Sequence, residues 1–213
     1  MKVYLIDYGM GNLLSIENAF TKCGAEIEYI KEPIAPEKIN HLILPGVGAF
    51  ADGMEELSKR GFTPFLKEYF RLQKPLIGIC LGMQMLFDSS SEFGEHSGLG
   101  FIPGKVLEIP NTDSGGHIYK RPFIGWSELN HPNPSKTHFS RPILKDVPIN
   151  SSMYFVHSYY ATETNPDHLV AYTTYGDAII PAIVQKDLTV GCQFHPEKSA
   201  AAGLQIIKNF LTF

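Results

Sequence analysis

The stretch KPLIGICLGMQMLF, from Lys74 to Phe87, decides the fold. It opens with a short apolar run after a proline, which predicts a buried strand, and it closes with apolar residues that suit a helix packed on a sheet. Between them, Cys80 has a glycine two residues away on either side, Gly78 and Gly82. This G-x-C-x-G spacing is the thiol form of a nucleophile elbow, a tight strand-to-helix turn in which a Cβ on either flank would clash. We therefore predict that Cys80 is a nucleophile rather than an inert buried thiol.

Two further groups are expected around the thiol. The N-terminus of the helix that follows Cys80 stabilises negative charge on the sulfur, and the backbone amide of Leu81 faces any oxyanion formed there. A second glycine-rich turn, PGVGAF at residues 45–50, lacks the length and the Gly-Lys-Ser/Thr ending of a phosphate loop. We expect this turn to present the amide of Val47 as the other half of an oxyanion hole.

Composition indicates an ordinary globular protein. The chain has 213 residues, of which 44% are apolar and 19% charged, enough for one well-buried α/β domain. Since no linker or repeat divides it, we predict a single domain over residues 1–213. The net charge of -4 gives no reason to expect nucleic acid or an anionic membrane as a partner. We find no run long enough for a signal peptide or a spanning helix, and three cysteines without C-x-x-C spacing argue against a disulfide framework, so we expect a cytoplasmic protein.

The alternation of strands and helices predicts a doubly wound, mostly parallel sheet flanked by helices, with an antiparallel edge extension. Ligands of such sheets bind beyond the carboxyl ends of the strands, where the glycine-rich turns lie. The strands are expected at 3–7, 26–30, 41–44, 76–79, 104–109, 153–160, 169–173, 180–185 and 189–194. The helices are expected at 13–23, 52–59, 63–72 and 204–211, with Cys23 on a core-facing side.

A thiol nucleophile needs a base, and the base needs a carboxylate that orients it. His195 and Glu197 have the right types, and the proline between them forces an extended backbone at His195. We therefore expect both side chains on one side of a strand-like segment. His157 is the alternative base, because its strand could line the same pocket. His195 is favoured since it has a carboxylate neighbour.

The predicted chemistry is metal-free acyl transfer. The sequence has no H-E-x-x-H motif and no two cysteines near a histidine, so we expect no metal and no cofactor. In this hypothesis Cys80 attacks a carbonyl, the amides of Val47 and Leu81 stabilise the oxyanion, and His195 protonates the leaving group. The thioester that remains is hydrolysed by water.

With these residues in view, the chain resembles the triad (class I) glutamine amidotransferases. Gly78 to Gly82 with Gln84, and His195 to Glu197, carry this resemblance. Four motifs in chain order are also similar to those of the HisH family, the glutaminase subunits of imidazole glycerol phosphate synthase: IDYGMGNL at 6–13, LPGVGAF at 44–50, YFVHSY at 154–159 and QFHPEKS at 193–199.

The resemblance implies a flavodoxin-like class I glutamine amidotransferase fold and hydrolysis of L-glutamine to glutamate and ammonia. It also implies that the ammonia passes, shielded from bulk water, to a HisF-type (β/α)8-barrel cyclase in a heterodimer that serves histidine biosynthesis. By motif match it implies a triad of Cys80, His195 and Glu197, with Val47 and Leu81 as oxyanion donors. It further implies substrate-binding positions at Gly48, Gln84, His157 and Ser158, and partner-facing positions at Asn12, Tyr154 and Lys198.

Three alternatives stay open. The family's usual Gly-Trp-Asn is replaced by Gly125-Trp126-Ser127, and the segment 130–148 is long. These departures leave room for a HisH-like paralogue that supplies ammonia for amidation of surface-polysaccharide sugars. The scaffold also suits a stand-alone γ-glutamyl hydrolase or cysteine peptidase, and a non-enzymatic binder with a structural thiol is the third alternative.

Overall fold

The computed structural model describes residues 1–162 and 164–213, and over these residues the chain forms three β-sheets with helices packed around the largest. In chain order the elements are β1 (Lys2–Ile6), α1 (Leu13–Lys22), β2 (Glu26–Ile30), β3 (Leu42–Leu44), α2 (Phe50–Lys59), α3 (Phe62–Arg71), β4 (Leu76–Ile79), α4 (Leu81–Gln84), β5 (Ser89–Ser90), β6 (His96–Ser97), β7 (Lys105–Glu108), β8 (Phe123–Glu128), β9 (Ser152–His157), β10 (Tyr159–Thr162), β11 (Leu169–Tyr175), β12 (Ala178–Lys186), β13 (Thr189–Cys192) and α5 (Ala200–Phe210).

The main sheet has the order β11-β12-β13-β4-β3-β1-β2. Strands β1, β2, β3, β4 and β13 run parallel, and β12 and β11 continue the sheet with antiparallel pairings. Strands β3, β4 and β13 are buried along their whole length, as expected for parallel strands covered by helices on both faces. The predicted doubly wound sheet with an antiparallel edge is confirmed.

Alternate residues of the central strands face two separate apolar layers, as the two-residue period of a strand requires. Ile77 and Ile79 of β4 pack in the layer that contains α1 and α5. Leu76 faces the layer formed by α2, α3 and α4, which includes the fully buried Phe62. Burying each such side chain contributes roughly 2 kcal/mol, so both faces of the sheet are stabilised and the carboxyl ends of β4 and β13 are held side by side.

The stretch predicted as one strand over 153–160 is broken at Ser158. The first part, β9, pairs with β8 as a two-stranded ribbon, and the second part, β10, pairs with β7 in the second sheet. The prediction of one strand was wrong because aromatic residues continue through the break, so the sequence does not show where the pairing partner changes.

Smaller differences concern element ends and one cysteine. Helix α2 begins two residues earlier than expected and α5 begins four residues earlier, while the piece expected at 104–109 is β7, which lies in the second sheet. Cys23 is only partly buried, at the boundary of the core, where its thiol donates to the carbonyl of Leu204 at 3.5 Å. No helix within residues 1–162 and 164–213 is long and apolar enough to span a membrane.

Candidate active site

Cys80 occupies a strained turn between β4 and α4. Its φ of 54° and ψ of -111° lie in a region that residues with a side chain rarely adopt. A Cβ built on Gly82 would lie 2.0 Å from the carbonyl oxygen of Leu44, and one on Gly78 would lie 2.7 Å from the carbonyl oxygen of Gly82. Both distances are below any real contact, so glycine is required at both positions and the elbow geometry expected from the spacing is present.

His195 lines the same cavity as Cys80, because β13, which precedes His195, pairs with β4. Nδ1 of His195 is 2.7 Å from Oε1 of Glu197, and both side chains are almost completely buried. Burial lowers the pKa of His195, but the neighbouring Cys80 and Glu197 outweigh it and raise that pKa to about 10. The surroundings of His195 therefore favour the protonated form of its imidazole at neutral pH.

The local backbone differs from the strand-like segment that we expected. His195 is extended, as the following proline requires, but residues Pro196–Lys198 form a 3-10 turn. This turn, rather than strand alternation, brings the carboxylate of Glu197 back to the imidazole. The prediction that the two side chains lie together is correct, although its geometric reason was wrong.

A cavity of about 370 Å³ opens above the elbow. It is lined by all but two of the residues singled out from the sequence: Asn12, Val47, Gly48, Cys80, Leu81, Gln84, His157, Ser158, His195 and Lys198. The two that do not line the cavity are Glu197, which lies behind His195, and Tyr154.

The loop after β3 is fixed against the elbow. The hydroxyl of Tyr8 donates to the carbonyl of Pro45 at 2.8 Å, and a Cβ on Gly46 would come within 2.7 Å of the backbone nitrogen of Gly82. This close packing puts Val47 and Leu81 on the same cavity.

Gln84 projects from α4 into the wall of the cavity. Its Nε2 donates to the carbonyl of Tyr159 at 2.9 Å and to Oε1 of Gln193 at 3.1 Å. An amide nitrogen has two hydrogens, so both are used by the protein, and the carbonyl oxygen of Gln84 is the atom left to accept a hydrogen bond from a ligand.

His157 lines the cavity but differs from His195 in its surroundings. Burial lowers its pKa to about 4, and Nδ1 bonds the carbonyl of Tyr159 at 2.8 Å rather than a carboxylate. Its Nε2 is buried without a hydrogen-bond partner within residues 1–162 and 164–213. The ring is therefore neutral at neutral pH, with Nε2 as an acceptor, and this environment favours His195 over His157 as the base.

Glu92 also lines the cavity, and sequence reasoning missed it. Its Oε2 accepts from the backbone nitrogen of Phe50 at 2.7 Å, at the start of α2, and burial raises the pKa of this carboxyl. Glu92 belongs to a polar stretch after the elbow helix without a diagnostic spacing. The one sequence signal for Glu92 was its position a short distance after Cys80, and many residues that do not line a site share such a position.

Two aromatic side chains of the β8–β9 ribbon, Trp126 and Tyr154, lie next to Lys198, which lines the cavity. The Trp126 and Tyr154 rings meet edge to face with centroids 5.9 Å apart, and Nζ of Lys198 lies 5.8 Å from the centre of the Tyr154 ring. Ile124 and Trp126, on the same face of β8, are more than half exposed. Within the described ranges, no group of three or more His, Cys, Asp or Glu side chains is arranged to hold a metal ion.

The doubly wound sheet, the strained cysteine and the buried His195–Glu197 pair fit the class I glutamine amidotransferases, which are cysteine-dependent hydrolases of carboxamides. The sequence profile of that family, glutamine amidotransferase class-I, matches residues 4–212. Solved structures agree on the fold. PurLQS from Thermotoga maritima superposes with a TM-score of 0.71 at 17% identity, over 99% of this chain and 97% of that chain. A glutamine amidotransferase from the same organism gives a TM-score of 0.60 at 16% identity, over 100% of this chain and 83% of that one.

Sequence relatives narrow the class. Imidazole glycerol phosphate synthase subunit HisH 1 of Legionella pneumophila (strain Lens) is 44% identical over 98% of both chains. The HisH subunits of Shouchella clausii (strain KSM-K16) and Lactococcus lactis subsp. lactis (strain IL1403) are each 43% identical, over 97% and 99% of this chain and 95% and 98% of theirs. The chain belongs to the HisH family of class I glutamine amidotransferases.

Proposed function

We propose that this chain, folded as one domain over residues 1–213, is the glutaminase subunit of an imidazole glycerol phosphate synthase. In this role it hydrolyses L-glutamine and supplies the ammonia to a HisF-type (β/α)8 cyclase in histidine biosynthesis. The observation that carries the proposal is the strained Cys80 on the same cavity as an imidazole whose Nδ1 is 2.7 Å from a buried carboxylate. The names of the HisH relatives support the choice of partner and pathway.

In the proposed mechanism, His195 holds the thiol proton while the sulfur of Cys80 attacks the side-chain carbonyl carbon of glutamine. The amides of Val47 and Leu81 donate to the oxyanion, and each such donor typically contributes about 3 kcal/mol to transition-state stabilisation. His195 then protonates the amide nitrogen of the tetrahedral intermediate, the C–N bond breaks and ammonia leaves, while Glu197 keeps the ring oriented. Water attacks the thioester with His195 as base, which releases glutamate and restores the thiol.

The amino-acid end of glutamine is proposed to lie along the far wall of the cavity. The carbonyl oxygen of Gln84 and the carboxylate of Glu92 suit the substrate's α-ammonium group, because both are acceptors that line the cavity. Gly48, His157 and Ser158 complete this wall. At Gly48 the backbone has a φ of 102°, and a glycine there lets the chain approach the ligand closely.

The partner is proposed to dock where the cavity opens. Asn12 and Lys198 line the cavity, the Lys198 ammonium lies over the Tyr154 ring, and exposed Ile124 and Trp126 are on the same ribbon, which supports this surface as the docking site. A cyclase seated on this surface would receive ammonia before it meets bulk water.

The test is ammonia release from glutamine, with and without a HisF-type cyclase, by wild type, Cys80→Ala and Cys23→Ala. Loss of the nucleophile should lower turnover by at least about 10³-fold. Cys23→Ala, which removes a partly buried thiol at the edge of the core, should keep wild-type turnover. Equal activity of wild type and Cys80→Ala would refute the proposal.

Ammonia release, cleavage of γ-glutamyl peptides and alkylation of Cys80 together separate the alternatives. Full turnover without a partner, together with cleavage of γ-glutamyl peptides, would indicate a stand-alone hydrolase. Stimulation by a sugar-amidating synthase but not by a cyclase would indicate the paralogue. A Cys80 that does not react with a glutamine-mimicking alkylator would indicate a binder with a structural thiol.

A further inference from the structure

Ser199 lies directly behind the His195–Glu197 pair, at the junction between the 3-10 turn and α5, and its side chain is 1% exposed. Its hydroxyl donates to the carbonyl of His195 at 2.6 Å and accepts from the backbone nitrogen of Tyr154 at 3.0 Å. A hydroxyl can donate and accept at once, so this one side chain joins two segments that are far apart in sequence.

A third hydrogen bond closes a ring. The backbone nitrogen of His195 donates to the carbonyl of Tyr154 at 3.0 Å, so both backbone polar groups of His195 and both of Tyr154 are engaged. The position of Ser199 is itself fixed, because a Cβ built on Gly203 of α5 would lie 2.1 Å from the carbonyl oxygen of Pro196. Helix α5 therefore packs directly on the turn.

Strand β9, which carries Tyr154, also reaches the nucleophile. The carbonyl of Val156, two residues further along the same strand, lies 3.8 Å from the sulfur of Cys80. On its other side β9 pairs with β8, where Trp126 lies opposite Tyr154 in the ladder and is 55% exposed. One strand thus connects the exposed ribbon to the turn that carries the base and to the thiol.

We propose that Ser199 is a positioning residue that fixes His195 relative to strand β9. Through it, a displacement of the β8–β9 ribbon on partner docking moves the imidazole relative to the sulfur of Cys80. The inference rests on the proposed function, since it assigns to the ribbon a role in the response to the partner.

The experiment compares Ser199→Ala and Ser199→Thr with wild type. Ser151→Ala is the matched control, because the Ser151 hydroxyl also donates to a backbone carbonyl, that of Pro148 at 2.7 Å, but does not contact His195. The readouts are kcat and KM for glutamine with and without the cyclase, and the pH dependence of Cys80 alkylation. Thermal unfolding checks that each variant is folded.

Ser199→Ala should lower kcat with the partner by about 10- to 100-fold, because a displaced base is poorly aligned with the sulfur. It should leave KM within about twofold, reduce the stimulation by the partner, and shift the pH profile of alkylation. Ser199→Thr, which keeps the hydroxyl, should recover most of the activity, and Ser151→Ala should match wild type.

The activity of the wild-type protein distinguishes failure of this inference from failure of the proposed function. If it is active with the cyclase and Ser199→Ala has the same kcat, stimulation and pH profile, the inference is overturned and the proposed function stands. If wild type releases no more ammonia than Cys80→Ala, the proposed function itself fails. If Ser199→Ala does not fold, Ser199→Cys replaces it, because a thiol is a weak donor of similar size. The inference then requires that Ser199→Cys show the same fall in kcat. Wild-type turnover by Ser199→Cys would overturn it.

Discussion

Single glycines determine whether Cys80 can project from the sheet. The spacing of Gly78 and Gly82 predicted the elbow, because a Cβ at either position would lie only 2.0 to 2.7 Å from a backbone carbonyl oxygen. Glu92 could not be predicted in the same way, since it reaches the cavity from a loop whose path depends on tertiary packing. The hydrogen bond from the Phe50 backbone nitrogen becomes visible only in the folded chain.

Gly82→Ala should destabilise the protein strongly, because the new methyl would lie 2.0 Å from the Leu44 carbonyl oxygen. We expect a loss of at least about 3 kcal/mol in the free energy of unfolding, measured by urea denaturation, since overpacking against backbone cannot relax easily. Gly115→Ala is the control, because its Cβ would meet only the Asp113 carboxylate of an exposed loop, at 3.3 Å. A Gly82→Ala protein as stable as this control would contradict the description of the elbow.

The β8–β9 ribbon illustrates what a strand prediction misses. The sequence indicated extended structure from 153 to 160, but the pairing partner changes at Ser158, and no periodicity marks that change. The turn at Pro196–Lys198 was missed for a similar reason. Proline fixed the backbone of His195, whereas the conformation of the next residues depends on packing against α5.

Ile124→Asp should weaken binding of the cyclase by at least about tenfold, because it places a charge on the exposed apolar face of the ribbon. Ile179→Asp is a matched control, since Ile124 and Ile179 are both 59% exposed and Ile179 lies on β12, outside the cavity lining. The dissociation constants would be measured by calorimetry. Equal affinities of the two variants would exclude the ribbon as the docking surface.

The architecture of the whole molecule was the most predictable level. Continuous apolar strands separated by helical periods indicate a parallel sheet, whereas the order of its strands, β11-β12-β13-β4-β3-β1-β2, was not predicted, since doubly wound sheets occur with more than one order. The second sheet was not predicted in full, because two of its strands, β5 and β6, are two residues long and no sequence period can be read from so short a segment.

Burial of a neutral His157 should make the protein less stable as the solution is acidified. The folded-state pKa of His157 is lowered to about 4 by burial, so between about pH 6.5 and pH 4 the unfolded chain binds a proton at this ring that the folded chain does not. Stability from this group is therefore complete above about pH 6.5 and is lost as the pH falls, by about 3 kcal/mol at most. Urea denaturation at about pH 6.5, 5.5 and 4.5 measures the effect, because the raised pKa of His195 makes stability fall as the pH rises above about 6.5 and changes stability little below that pH.

The variant His157→Asn keeps a donor for the Tyr159 carbonyl and does not titrate, so its stability should depend less on pH over this range. His138→Asn, in an exposed loop, is the control and should follow the wild-type curve. If His157→Asn and wild type lose stability in parallel on acidification, the ring is not the cause.

The placement of β13 between β12 and β4 has a consequence for synthesis of the protein. The ribosome makes the strand that leads to Cys80 long before the one that leads to His195, and until β13 pairs, β4 lacks its neighbour on that side. A nascent chain therefore carries Cys80 before it carries His195, and under the proposed function a translation product that stops short of residue 195 should release no ammonia. Ammonia release in this proposal begins only after the β12–β13 hairpin has joined the sheet.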